Sequence, residues 1–163
     1  MRWDRSAEIA MLALAALVAA AILLPRVRDV ILFNPSPSVP RGFYVRTNDE
    51  LRVGAVVTVR AVDVAPDYAR LRDFTDQDDR FIKRVAAVHG DTVCAEGSRV
   101  TINGDRVIER ALTDSAGRPL PTWSGCRRLR DEVFLLGDTA DSFDGRYWGP
   151  TPIAAIEGRW RRL

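Results

Sequence analysis

Hydrophobic and polar positions divide this chain into two parts with different periods. From Ile9 to Leu24 every residue is apolar (IAMLALAALVAAAILL), and Pro25 closes the run. That pattern predicts a helix over residues 7–25, at the short end of the roughly 17–25 residues that cross a bilayer. The stems of the flanking arginines lengthen it by snorkelling. A tail, residues 1–6, precedes the run, and a juxtamembrane segment, residues 26–33, follows it. A cleaved signal peptide is the rival reading, because the start is short and basic and the centre is rich in alanine. Against it, the run continues through Ile22, Leu23 and Leu24 to Pro25 without a small-x-small cleavage site.

From Asn34 the pattern becomes the alternation of half-buried strands, so residues 34–163 are expected to form a compact, mainly β domain. The segments GFYVR and GAVVTVR carry β-branched and aromatic residues between turn formers, and RFIKRVAAV and DEVFLLGD read the same way. The stretch RVTINGDRVIE joins two alternating runs through Asn103-Gly104, the preferred centre of a two-residue type I′ hairpin. Pro66 suits a first helical position, so a turn or two of helix is expected over Pro66 to Asp73. Acidic DQDD (76–79), RRLRDE (127–132) and the terminal RWRRL read as solvated segments. The pattern leaves the placement of Trp123 and Trp160 open.

Charge adds little. The 24 basic and 22 acidic residues leave a net of +2, which gives no field for nucleic acid. Arginines flank the apolar run on both sides, so the positive-inside rule sets no orientation. Cys94 and Cys126 are the only cysteines. An even pair in a small domain fits one disulfide in an oxidising compartment, with two free buried thiols as the alternative. Two cysteines and the lone His89 lack the paired spacing of a zinc site, and no cofactor motif is present.

Three stretches hold candidate chemistry. NPSPSVPRGFY (34–44) frames Ser36 and Ser38 with Pro35, Pro37 and Pro40, which excludes helix and regular ladder pairing. A plain linker is the other reading of such a segment. In RFIKRVAAVHGD, alternation puts Phe81, Lys83 and Val85 on one face, and Ile82 and Arg84 on the other. Lys83 is then either a snorkelling edge residue or an amine desolvated enough to act as a base. Third, LLGDTADSFDGRYWGP gathers Asp138, Ser142, Asp144 and Arg146. A Ser-His-Asp triad would have to use His89, which sits before Gly90-Asp91 in an apparent turn.

Taken in order, SPSVP, IKRVAAVHGD and LLGDTADSFDGRYWG resemble the motifs of the type I signal peptidases (S26), membrane-anchored proteases with a Ser/Lys dyad. SVPRGFY and SFDGRYWGP look most like their conjugative-transfer, TraF-like branch. Val39 stands where the common leader peptidases carry methionine, His89 replaces a usual proline, and Thr139 a usual asparagine. The resemblance implies a signal-peptidase/LexA-like β domain behind one transmembrane helix, facing the periplasm from the inner membrane. It makes Ser38 the nucleophile and Lys83 the general base. It assigns the oxyanion donors to the Ser38 N–H and the Ser36 hydroxyl, and gives Ser142 the role of orienting Lys83. Asp144 and Arg146 become a supporting ion pair. At an unperturbed pKa of about 10.4, roughly one lysine in a thousand is neutral at pH 7.4, a penalty on the order of 4 kcal/mol that burial beside Phe81 and Val85 would reduce. Arg84 would help if its head group approached. The implied partners are the bilayer and a precursor polypeptide, leader-bearing or pilin-like, with pilin-type subunits of a conjugative transfer system the favoured substrates. General leader-peptide removal, a self-cleaving repressor-type protease, and a catalytically silent tethered β domain are the competing functions.

Overall fold

The computed structural model describes Ile9, residues 11–15, residues 30–76 and residues 78–163. The chain forms two units, Met1–Val30 and Ile31–Leu163. In the first, Ile9 and residues 11–15 are helical. The remainder of the helix expected over 7–25, the tail 1–6 and residues 26–29 lie outside the described residues. No helix among the described residues is long and apolar enough to cross a membrane.

The second unit is mainly β. Its strands are β1 (Ile31–Asn34), β2 (Gly42–Thr47), β3 (Val56–Arg60), β4 (Arg80–Ala87), β5 (Thr92–Glu96) and β6 (Arg99–Ile102). They continue with β7 (Arg106–Glu109), β8 (Gly125–Arg128), β9 (Glu132–Leu136), β10 (Thr151–Pro152) and β11 (Ile156–Arg162). Helices are short: α1 (Ala61–Val64), α2 (Pro66–Leu71), which starts at the expected proline, and α3 (Gly145–Trp148). Seven strands form one sheet in the order β1-β2-β11-β3-β4-β9-β10, and four form another in the order β7-β6-β5-β8. β1 takes in residues 31–33, which the sequence pattern assigned to the juxtamembrane segment.

Cross-strand partners share a face, and the register sorts the core accordingly. Leu32 pairs with Tyr44, Val56 with Trp160, and Thr58 with Ile82. Tyr44, Val56, Ile82 and Trp160 form one apolar cluster, capped by Val39 from the proline loop. Lys83 pairs with Val57 and Phe81 with Val59, on the opposite face. There Val57, Val59, Val85, Val133 and Leu135 form a second cluster, with Phe81 packed against it. Ile82 and Lys83 thus enter different layers, as the alternation predicted.

Three expectations are corrected. RWRRL is no polar chain end: it belongs to β11, between β2 and β3, with Trp160 buried and its Nε1–H donating to Thr58 Oγ1 at 2.9 Å. Within RRLRDE, Leu129 is fully buried, and its N–H donates to the Asp91 carbonyl. The Asn103-Gly104 hairpin has three residues between paired Ile102 and Arg106, not two, although both central φ values are positive as expected. Trp123 is half-buried against Phe134.

Cys94 and Cys126 face each other across β5 and β8 and are disulfide-bonded, with Cα atoms 4.0 Å apart. A buried arginine, Arg110, ties this smaller sheet to α3. It donates to the carbonyls of Gly97 (2.9 Å), Trp123 (2.8 Å) and Arg146 (2.7 Å).

Candidate active site

The proline loop between β1 and β2 is held by one side chain that sequence reasoning missed. Asn34 is 2 % exposed. Its Oδ1 accepts from the Ser36 N–H at 3.0 Å, and its Nδ2 donates to the carbonyls of Ser36 (2.9 Å), Val39 (3.1 Å) and Pro40 (3.3 Å). Three prolines remove three N–H groups from this segment, so its conformation depends on side chains for hydrogen bonds. The Tyr44 hydroxyl adds a bond of 2.5 Å to the Pro40 carbonyl. The only sequence signal for Asn34 was its place at the head of the loop, where asparagine favours local backbone bonds.

The loop delivers Ser38 to an open edge of β4. β9 pairs with β4 only from Arg84 onward, where Arg84 faces Leu136, and it leaves residues 80–83 without a partner on that side. Ser38 Oγ donates to the Ile82 carbonyl at 3.3 Å, and the Asp138 N–H donates to the Ser38 carbonyl at 2.6 Å. Ser38 is itself buried. Ser36 Oγ donates to Ser38 Oγ at 3.0 Å and accepts from the Ser38 N–H at 3.2 Å. The two groups expected to bind an oxyanion therefore engage each other in the free chain.

Lys83 is 4 % exposed. Its Nζ lies 5.6 Å from the centre of the Phe81 ring, and it forms no ion pair among the described residues. Burial pushes its pKa down to about 8, partly opposed by the Asp144 carboxylate and assisted by the Arg146 guanidinium. Arg84 does not supply that cation. It turns away to grip both oxygens of Asp138 at 2.8 Å and the Gly54 carbonyl at 3.0 Å. Ser38 and Lys83 line one cleft of about 350 Å³ with Leu32, Phe33, Phe74, Phe81 and Ile82 among its walls.

Asp144 and Arg146 form a buried pair, not a solvated one. Asp144 is 0 % exposed, and both its oxygens receive guanidinium N–H groups, at 2.8 and 2.7 Å. Asp144 also accepts from the N–H of Gly137 and of Arg146, the latter capping α3. Arg146 donates onward to the carbonyls of Ala140 and Thr139. The pair thereby fixes residues 137–146, which carry Ser142. The Ser142 hydroxyl is buried and has no hydrogen-bond partner among the described residues, so its expected bond to Lys83 is not formed here. Gly137 leaves room for it: a Cβ at that position would lie 2.0 Å from Ser142 Oγ.

His89 lies apart, exposed in the turn after β4. Asp91 spends its carboxylate on the Val88 N–H and the Asn103 amide. No serine meets that histidine through any bond of the described residues.

A buried amine and a framed hydroxyl in one cleft suit acyl transfer without histidine, and comparison with known proteins agrees in class. Residues 3–163 match the model of the family described as signal peptidase, peptidase S26, and the chain belongs to that family. It is 32 % identical over 142 residues to the plasmid transfer protein TraF of Escherichia coli, covering 76 % of each chain. It is also 36 % identical over 80 residues to a signal peptidase I of Leptolyngbya laminosa, covering 48 % of this chain and 38 % of the relative. The structure of a signal peptidase I from Enterococcus faecalis V583 aligns with a TM-score of 0.39 and 20 % identity, over 69 % of this chain and 97 % of that one.

Proposed function

We propose that this chain is a membrane-anchored serine endopeptidase that removes leader peptides from exported precursors, pilin-type subunits of a plasmid transfer system above all. One observation carries the reading: buried Lys83 and Ser38 line the same cleft, and the Ser38 hydroxyl bonds to the carbonyl of the residue before Lys83. The likeness to a plasmid transfer protein over three-quarters of the chain supports the substrate class. The apolar run from Ile9 to Leu24 supports the anchor, and the catalytic domain is taken to lie on the periplasmic face.

In this mechanism Ser38 Oγ attacks the scissile carbonyl while Lys83 Nζ takes its proton. With a pKa of about 8, roughly a fifth of Lys83 is neutral at pH 7.4. The tetrahedral oxyanion is held by the Ser38 N–H and the Ser36 hydroxyl, which give up their mutual bonds to receive it. Lys83 then returns the proton to the departing amine as the C–N bond breaks. A water, deprotonated by the same lysine, attacks the acyl-Ser38 ester; the acyl–Oγ bond breaks, Lys83 hands the proton to Ser38 Oγ, and the new carboxyl end is released. Ser142 orients the amine once substrate closes the cleft.

General leader-peptide removal is the second reading, favoured by the likeness to a signal peptidase I. Cleavage in membranes of a pilin-type precursor and of a secretory precursor separates the two. Ser38→Ala, Lys83→Ala and Lys83→Arg each lower cutting on the order of 10³-fold or more, and His89→Ala cuts normally. Retained cutting by Lys83→Ala together with loss in His89→Ala refutes the mechanism.

A further inference from the structure

The loop that carries Ser38 has a cleft on each side. Beyond Pro40 opens a second one, of about 390 Å³, whose lining includes Tyr44, Arg84 and Trp160. Its floor is coupled to the nucleophile. Arg84 holds Asp138 by both oxygens, and the Asp138 N–H holds the Ser38 carbonyl.

The two clefts differ in chemistry. Aromatic and aliphatic side chains form much of the wall of the Ser38–Lys83 cleft, where the one lining arginine, Arg80, is paired with Glu157, whereas Arg52, Arg159, Arg161 and Arg162 line the second. The Arg84–Asp138 pair is closed on itself. The four remaining arginines face two lining carboxylates, Asp49 and Glu50, which leaves a net charge of +2. Arg159 donates to the Asp49 backbone carbonyl and Arg162 to that of Arg41. Neither bond cancels a charge. Arg52 and Arg161 are exposed and form no ion pair among the described residues.

We propose that this second cleft receives the segment on the leaving side of the scissile bond and selects acidic residues there. The inference rests on Ser38 being the nucleophile. A chain that presents its carbonyl to Ser38 from the apolar cleft continues over the Ser38–Pro40 stretch, and the arginine-lined cleft begins at Pro40. Guanidinium groups pair with carboxylates through two parallel N–H bonds, so an acidic residue fits this lining better than a neutral or basic one. The selection is made by exposed charges and therefore weakens as salt rises.

The test uses the full chain in detergent and one precursor in three forms, with Glu-Glu, Gln-Gln or Lys-Lys at the second and third positions after the cut. KM rises from the Glu to the Gln to the Lys form, spanning about tenfold, while kcat changes little. The span collapses in 1 M salt. Arg52→Glu combined with Arg161→Glu reverses the order, and Arg99→Glu, an exposed change in the four-stranded sheet, preserves it. Equal KM values, or an order that survives the double reversal, overturn the inference. So does a flat order with a double variant that instead loses binding to vesicles of anionic lipid, since the cleft then serves headgroups. If wild type cuts none of the forms better than Ser38→Ala, the peptidase reading itself fails and takes this inference with it. That result is distinct from cutting without ranking.

Discussion

Replacing Lys83 with methionine isolates what burial does to this amine. In the folded chain its pKa is about 8 against an ordinary 10.5. A lysine whose folded pKa lies below its unfolded value destabilises the fold while it is protonated. The penalty is complete below about pH 8 and disappears as pH rises toward 10.5, where the unfolded chain also loses the proton. At 1.36 kcal/mol per pKa unit, the difference is about 3 kcal/mol at neutral pH. Methionine has a similar length and no charge to desolvate, so Lys83→Met is expected to be more stable at pH 7 by up to that amount. The advantage shrinks to near zero above pH 11. Urea denaturation of both proteins from pH 7 to 11 measures it, and taking the difference cancels every other titrating group. A variant that is less stable at pH 7, or a difference that does not change with pH, refutes the idea that burial lowers this pKa. The same lysine should impose an activity that rises with pH through about 8, and Lys83→Met should have none.

Three further outcomes follow from the site. Asn34→Leu strands one N–H and up to three carbonyls of the nucleophile loop, and should cost about 1–3 kcal/mol in urea titrations while slowing labelling of Ser38 by a serine-directed probe. Arg146→Met leaves Asp144 buried and unpaired, for a loss of about 3–5 kcal/mol; adding Asp144→Asn should restore part of the denaturation midpoint. Gly137→Ala puts a methyl group against Ser142, so precursor cutting should fall about 10²-fold with the far-ultraviolet circular dichroism of the fold retained.

The sequence showed its strands wherever alternation and β-branching coincided. β3, β4 and β9 carry Val, Ile, Phe and Leu at buried positions, and each lies inside the larger sheet. β11 escaped because its exposed positions are arginine and glutamate, while its inward side is only Ile156, Gly158 and Trp160. A central strand with a small residue at Gly158 looks like a polar tail. The glycine is there for space, since a Cβ would come within 2.9 Å of both Arg46 and Trp160. Lys83 and Ser38 were legible as candidates because alternation placed one beside apolar neighbours and prolines framed the other. Asn34 and Arg110 were not. Both act by saturating backbone carbonyls distant from or crowded around them, and the need for such a donor is visible only once the chain is folded. The orienting bond from Ser142 was expected from family likeness, and that hydroxyl has no hydrogen-bond partner among the described residues.

Between β7 and β8 the chain makes an excursion that closes on itself. The Leu120 N–H meets the Leu112 carbonyl, and the Asp114 side chain binds both the backbone and the guanidinium of Arg118. Its tip, residues 115–117, is exposed. Arg110 and Ala111 at its start and Trp123 at its end are anchored to α3. Extra length inserted at 115–117 therefore reaches none of these anchors, and lengthening such a loop costs only about 0.6 kcal/mol per doubling. This is the place on the domain to graft an epitope, a fluorophore or a whole second module while leaving the nucleophile where it stands.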